Sequence, residues 1–385
     1  MTQEEKNLKL LEKEIEKIRN KKNKIMFFVM DSKGAPIGSL AYIYETAYQL
    51  KEMGYNVLML HAEKEFVGVG EWLGEKYASL PHENIEKGET LMSPSDILFI
   101  PELFGNIMAY TKNMPCKRVA ILQSLEYMTE FIQPGITWTD MKIRDCVTTS
   151  EKLAAKVKEY FPSTQTYVVR PSIPSYFKSS DEPRQLIINL VMKSKKDSDA
   201  IIKPFYWKHP EYKWVAFRDV KNLPRENFAN ILREGVATIW CDDSSCFGYS
   251  ALEAMAEGNI IIGKIPDNEP EWMIKNGEIA NNGLWFYNVN DAPDIIASFI
   301  ETFLQNEIPD TIYEEMKETI KPYTEEMQKL DILKQYVETI FVQHEKTLEA
   351  LVRAVKYQNE KAPASNEDTA KNETLKITTK TKKKK

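Results

Sequence analysis

Apolar residues along this chain recur in two rhythms. Short unbroken runs rich in Ile, Leu, Val and Phe alternate with longer segments where apolar residues return every three or four positions. Unbroken runs of this length read as strands covered on both faces, and the slower rhythm reads as helices laid against them. Residues 24–30 form the first such strand, followed by a loop holding Gly34, Pro36 and Gly38, a helix over 40–53 closed by Gly54, and a strand over 56–60. The alternation continues with strands predicted at 96–101, 118–122 and 166–169, a strand from 145, and helices over 102–112 and 151–160. After Pro171-Ser172-Ile173-Pro174 it begins again: strands at 186–190, 213–217, 238–240 and 260–263, with helices over 223–233 and 250–257. Strand–helix alternation of this kind predicts parallel, doubly wound sheets in two α/β units.

The densest local signal runs from Ala237 to Trp272. A buried strand gives way to a small-residue, acid-bearing turn at 242–248, then to a helix of good formers ended by Gly258 and Asn259, then to a second strand. In open parallel sheets ligands sit beyond the carboxyl ends of the strands. The turn into this helix offers unpaired backbone N–H groups and the positive end of the helix dipole, which suit a phosphate. Glu253 follows one turn in, where a carboxylate could accept two hydrogen bonds from a diol such as ribose.

The pattern Phe247-Gly248, Leu252-Glu253-Ala254-Met255-Ala256, Gly258 and then Pro270-Glu271 resembles the donor-site signature of GT-B glycosyltransferases, specifically glycosyltransferase family 4. The resemblance implies two Rossmann-like domains facing a cleft, and transfer of a sugar from a UDP- or GDP-linked donor with retention of anomeric configuration. No metal or other cofactor is implied, because lysines and helix-start amides would meet the diphosphate charge. It implies that Glu253 binds the ribose and that Phe247, Gly248, Tyr249 and Ser250 meet phosphate and sugar through their backbone. Lys196, with Lys193 or Arg218, would neutralise the leaving group, and Gly38 would let the opposite loop approach the donor.

Three positions depart from the family pattern. The family histidine after the 118–122 strand is matched by Gln123 with Ser124; glutamine can bond a sugar hydroxyl but cannot serve as a base near neutral pH. The first of the family's two glutamates falls on Ser245, with Asp243 two residues earlier as the available carboxylate. The arginine expected beside Lys196 falls on Val191. These departures leave a second expectation open, a catalytically degraded GT-B module acting as a binding or assembly subunit.

The N-terminal segment changes the outline. Residues 1–22 carry Leu8, Leu11, Ile15 and Ile18 at helical spacing among Glu and Lys, predicting an amphipathic helix that either packs on its own domain or pairs copies of the chain. The first domain then spans 23–170, the donor domain 171–309, charged helices 310–360, and a tail 361–385. That tail holds eight lysines against three acids in a chain of net charge −6, and its Pro, Ser, Asn and Thr content predicts disorder. It is the one feature that suggests a nucleic-acid acceptor; a glycan, small molecule or protein acceptor is equally compatible with the rest. No apolar run is long enough to span a membrane, and the charged N-terminus is unlike a secretory signal. Four cysteines without a C-x-x-C pair fit a reducing, cytoplasmic setting, and four scattered histidines argue against a histidine-built metal site. The loops at 64–89 and 124–140 match nothing recognisable, although Trp72, Tyr127 and Trp138 could stack on sugar rings there.

Overall fold

The computed structural model describes residues 3–87, 91–180, 183–192, 194–242, 247–324 and 326–361. The first domain holds seven parallel strands: β1 (Lys24–Phe28), β2 (Asn56–His61), β3 (His82–Asn84), β4 (Ile97–Pro101), β5 (Lys117–Leu122), β6 (Asp145–Thr148) and β7 (Gln165–Val168). Their spatial order is β3-β2-β1-β4-β5-β6-β7, so the chain reverses direction across the sheet between β1 and β4. The strands β1, β4 and β5 carry almost unbroken buried residues, as expected of strands with helices on both faces. The covering helices are α1 (Gln3–Arg19), α2 (Gly38–Glu52), the single turns α3 (Gly70–Leu73) and α4 (Glu75–Ala78), α5 (Gly105–Tyr110), α6 (Leu125–Phe131) and α7 (Glu151–Tyr160).

The second domain repeats the plan with β8 (Gln185–Met192), β9 (Ala216–Asp219), β10 (Gly235–Cys241) and β11 (Ile260–Lys264). A two-stranded antiparallel ribbon, β12 (Ile274–Lys275) and β13 (Glu278–Ile279), precedes the last parallel strand β14 (Leu284–Phe286). The parallel order is β14-β11-β10-β8-β9, reversing between β8 and β10. Its helices are α8 (Lys195–Lys208), α9 (Arg225–Glu234), α10 (Tyr249–Ala256) and α11 (Ala292–Leu304).

Two long helices close the chain. Helix α12 (Asp310–Thr324) buries Ile312, Met316 and Tyr323 in the second domain's core. Helix α13 (Glu326–Lys361) returns to the first domain, where Leu333, Tyr336, Val337, Ile340 and Phe341 join the core. The chain therefore crosses between domains twice, and the crossings touch: Ile173 N–H donates to Tyr323 C=O at 2.7 Å. Helix α1 lies along α13, joined by Arg19 to Glu345 and Glu349 and by Lys356 to Glu12. Its apolar stripe packs within one chain, with Ile15 and Ile18 buried, as the first of the two expectations for this helix has it.

Most predicted elements are present, but the strand expected over 213–217 lies at Ala216–Asp219, β3, α3, α4 and the β12–β13 ribbon have no predicted counterpart, and three further places differ. The helix expected over 102–112 is a 3-10 turn at Glu102–Phe104, α5, and a second 3-10 turn. The break falls at Phe104 (φ −103, ψ 47), and beside it Gly105 packs so closely that a Cβ would lie 2.3 Å from the Phe131 carbonyl oxygen, so two backbones meet where no side chain fits. Helix α6 falls in a loop that matched nothing, and α8 follows a lysine-rich stretch and contains Pro204, a residue that ordinarily ends helices.

Candidate functional site

A sheet that reverses its winding opens a crevice between the two strands at the switch point. Both sheets place that crevice on one cavity of about 610 Å³ between the domains. Met30 follows β1, while Pro101 and Glu102 mark the end of β4; Val191 and Met192 end β8, and Trp240, Cys241 and Asp242 end β10. The architecture alone brings these four strand ends together.

The second-domain wall is built on the corner from β10 to α10. Gly248 caps α10 with φ +69, a left-handed conformation that side chains resist. A Cβ there would also come within 2.8 Å of Trp272 and 3.2 Å of Trp240. Trp272 Nε1–H donates to the Phe247 carbonyl at 2.6 Å, and Trp240, Trp272 and Trp285 pack as an aromatic cluster beneath the turn. Phe247 and Gly248 are thereby held against the tryptophans at the start of α10, and Phe247, Tyr249 and Ser250 line the cavity. Glu253 lines it too, 5% exposed, one turn into α10.

Sequence reasoning missed the partner of Glu253. Arg225, first residue of α9, donates from Nε at 2.7 Å and places Nη2 at 2.6 Å, both on Glu253 Oε1. Its Nη1 donates to Glu45 of α2, across the domain boundary. Tyr249 Oη–H shares its proton between Glu45 Oε2 at 3.0 Å and the Ser172 carbonyl at 2.8 Å, and the Arg225 guanidinium lies 4.7 Å over the Tyr249 ring. Burial pushes the Glu253 carboxyl above its usual range and the Arg225 charge pulls it back, while Glu45 adds to the rise. The only signal available beforehand was an arginine directly after Pro224 at a helix start, a position ordinarily exposed.

Two of the expected phosphate cations, Lys196 and Arg218, lie outside the cavity lining. Lys196 is exposed in the first turn of α8 and is absent from the cavity lining. Arg218 donates to Glu234 at 2.8 Å and reaches the Ile231 carbonyl, at the end of α9 opposite Arg225. Lys193, Asp243 and Ser245 lie outside the described residues. Among the described lining residues the cations are Arg225 and Lys221, the latter 3.0 Å from Asp219. No group of three or more His, Cys, Asp or Glu suited to a metal occurs among the described residues.

The first-domain wall is held differently. Glu102 is 2% exposed at the end of β4, and its Oε1 accepts the backbone N–H of Gln123 at 3.0 Å and of Ser124 at 2.7 Å. Its Oε2 is sealed without a partner, and burial raises the carboxyl to about 7. Gln123 Nε2–H donates to the Ser39 carbonyl at 3.2 Å, tying the end of β5 to the start of α2, where Gly38 also lines the cavity. Ser124 caps α6 by accepting from Tyr127 N–H, and Tyr127 borders the cavity. Trp72 also borders it, anchored by Nε1–H to Ser32 at 3.1 Å. Trp138 is wholly buried and stacked on Phe161 at 4.7 Å, so it holds its loop and meets no sugar.

Comparison with known proteins places this geometry. No protein-family profile matches the sequence. It is 24% identical over 230 residues to an alpha-1,6-glucosyltransferase of Actinobacillus pleuropneumoniae serotype 7 (strain AP76), covering 56% of this chain and 64% of that one. The chain thus spans under two thirds of that relative's length. Among solved structures, sucrose-phosphate synthase from Thermosynechococcus elongatus superposes with a TM-score of 0.60 at 13% identity, over 83% of this chain and all of the other. Anabaena HepE in complex with UDP-glucose gives a TM-score of 0.57 at 12% identity, over 82% and 99%. Two Rossmann-like domains whose switch points face one cavity, matched over the full length of such structures, identify the chain as a member of the GT-B fold.

Proposed function

We propose that the chain transfers a sugar from a UDP-linked donor to an acceptor hydroxyl, with retention at the anomeric carbon and without a metal. The observation that carries this is the position of Glu253: a carboxylate on the first turns of α10, at the second domain's switch point, lining a cavity that the first domain completes. Its Oε2 accepts no hydrogen bond among the described residues and is left for ribose hydroxyls. The diphosphate would lie at the start of α10, where the helix dipole and amides favour negative charge, with Lys221 at the rim. In the transfer the acceptor oxygen bonds the anomeric carbon as the bond to the diphosphate breaks, and the acceptor proton leaves with the diphosphate. Uridine is preferred over guanosine because the curated relative is a glucosyltransferase and HepE was solved with UDP-glucose.

A second reading is favoured by one observation. Both described cations of the cavity lining are already paired with carboxylates, Lys221 with Asp219 and Arg225 with Glu45 and Glu253. Little positive charge is left over for a leaving group, which suits a module that binds a nucleotide without turning it over.

Thermal-shift and turnover measurements with UDP, GDP and UDP-glucose separate these. A bound nucleotide raises the melting temperature by mass action. Glu253→Ala should weaken UDP binding about 10- to 100-fold, the loss expected for hydrogen bonds to a charged group, while the chain still folds. An undiminished shift would remove Glu253 from the ribose role. A UDP shift without release of glucose from UDP-glucose selects the binding module.

A further inference from the structure

We propose that Arg225 is the positioning residue of the donor site: it holds one oxygen of Glu253 so that the other is presented, ionised, to the ribose. This rests on the donor reading above. The contact geometry is lopsided. Nε of Arg225 donates to Oε1 and Nη2 lies 2.6 Å from the same oxygen without a hydrogen bond, although a guanidinium can span both oxygens of a carboxylate in a parallel fork. Oε2 accepts nothing among the described residues and is not sealed from solvent, although the side chain as a whole is buried.

The electrostatics give Arg225 its leverage. A carboxylate this deeply buried is driven toward its neutral form, and a neutral acid binds a hydroxyl about half as strongly as its anion does. Among the described residues the charged and titratable groups facing Glu253 are Arg225 from α9, Glu45 from α2, Tyr249 on its own helix, and Tyr176 from the segment ahead of β8. Arg225 favours the anion and Glu45 opposes it, so the two act in contrary senses on one group. Glu45 belongs to the first domain and Glu253 to the second. The ribose grip is accordingly set by both lobes, through a cation that neither shares with solvent.

The test is calorimetric titration of the full chain with UDP, and with GDP in parallel, from about pH 5 to pH 9, spanning the carboxylate-to-histidine range. Binding is full above the Glu253 pKa and is lost as pH falls through it. Arg225→Met should move the midpoint of that loss upward by about one to three pH units, the range for removing an adjacent opposite charge. Arg225→Lys should restore part of the shift. Glu45→Gln, which removes the like charge, should move the midpoint downward. A purely structural role would lower affinity in both variants without moving either midpoint. Midpoints that stay put, or that move in the same direction, overturn the proposal. Should Arg225→Met fail to fold, the downward shift in Glu45→Gln still decides the matter. Absence of heat from either nucleotide with the wild-type chain at every pH defeats the donor reading itself, and this inference with it.

Discussion

The two walls of the cavity are fixed by different physics. The second-domain wall is pinned by shape and charge: a left-handed glycine wedged on tryptophans, and an ion pair that extends across the boundary to Glu45. The first-domain wall is pinned by neutral hydrogen bonds gathered on one buried acid, with Glu102 receiving two backbone N–H groups and Gln123 reaching Ser39. Glu253 on the second-domain wall keeps a charge partner in Arg225, whereas Glu102 on the first-domain wall meets only backbone N–H groups among the described residues and, raised to about 7 by burial, changes state within the physiological range.

The comparison breaks most directly at Gly248. Gly248→Val should cost about 2–5 kcal/mol, combining left-handed strain with overpacking on Trp272 and Trp240. Chemical denaturation measures it, and a loss below about 0.5 kcal/mol, the scale of an ordinary surface change, would show that the turn is not held by shape. Glu102→Gln sharpens the other side. The native state holds this proton more tightly than the unfolded chain, so wild-type stability falls as pH rises from the unfolded carboxyl range toward about 7. The size is about 1.4 kcal/mol per unit separating the two pKa values. In Glu102→Gln that fall should become shallower by the share of Glu102, the remainder belonging to the other raised carboxyls Glu253 and Glu257; a fall unchanged from wild type assigns it wholly to other groups. The smallest effect belongs to Gln123→Ala, which removes only the tie to Ser39. It should lower turnover of UDP-glucose about 3- to 10-fold, the value of one neutral hydrogen bond, and leave UDP affinity unchanged. Weakened UDP binding would mean that the walls are not separable.

The same contrast explains what could be read from the sequence. Glu253, Gly248 and the β10–α10 corner were legible because their spacing is dictated by local backbone geometry over a dozen residues. The strands were legible because burial on both faces leaves long apolar runs. Arg225 was not, because its partners lie 28 and 180 positions away in sequence and no periodicity announces a buried cation. Glu102 stood as the first residue of an expected helix, and only its position beneath the β5 turn reveals a sealed acid. Arg218 and Lys196 were drawn to the diphosphate by proximity to strand ends; the fold turns one toward Glu234 and the other into solvent.

Ile173 and Tyr323, one on each traverse between the lobes, are stitched together by a main-chain bond. The neighbouring Ser172 carbonyl accepts from the Tyr249 hydroxyl, which also donates to Glu45, so the doubled strap runs straight into the charge network at the cavity wall.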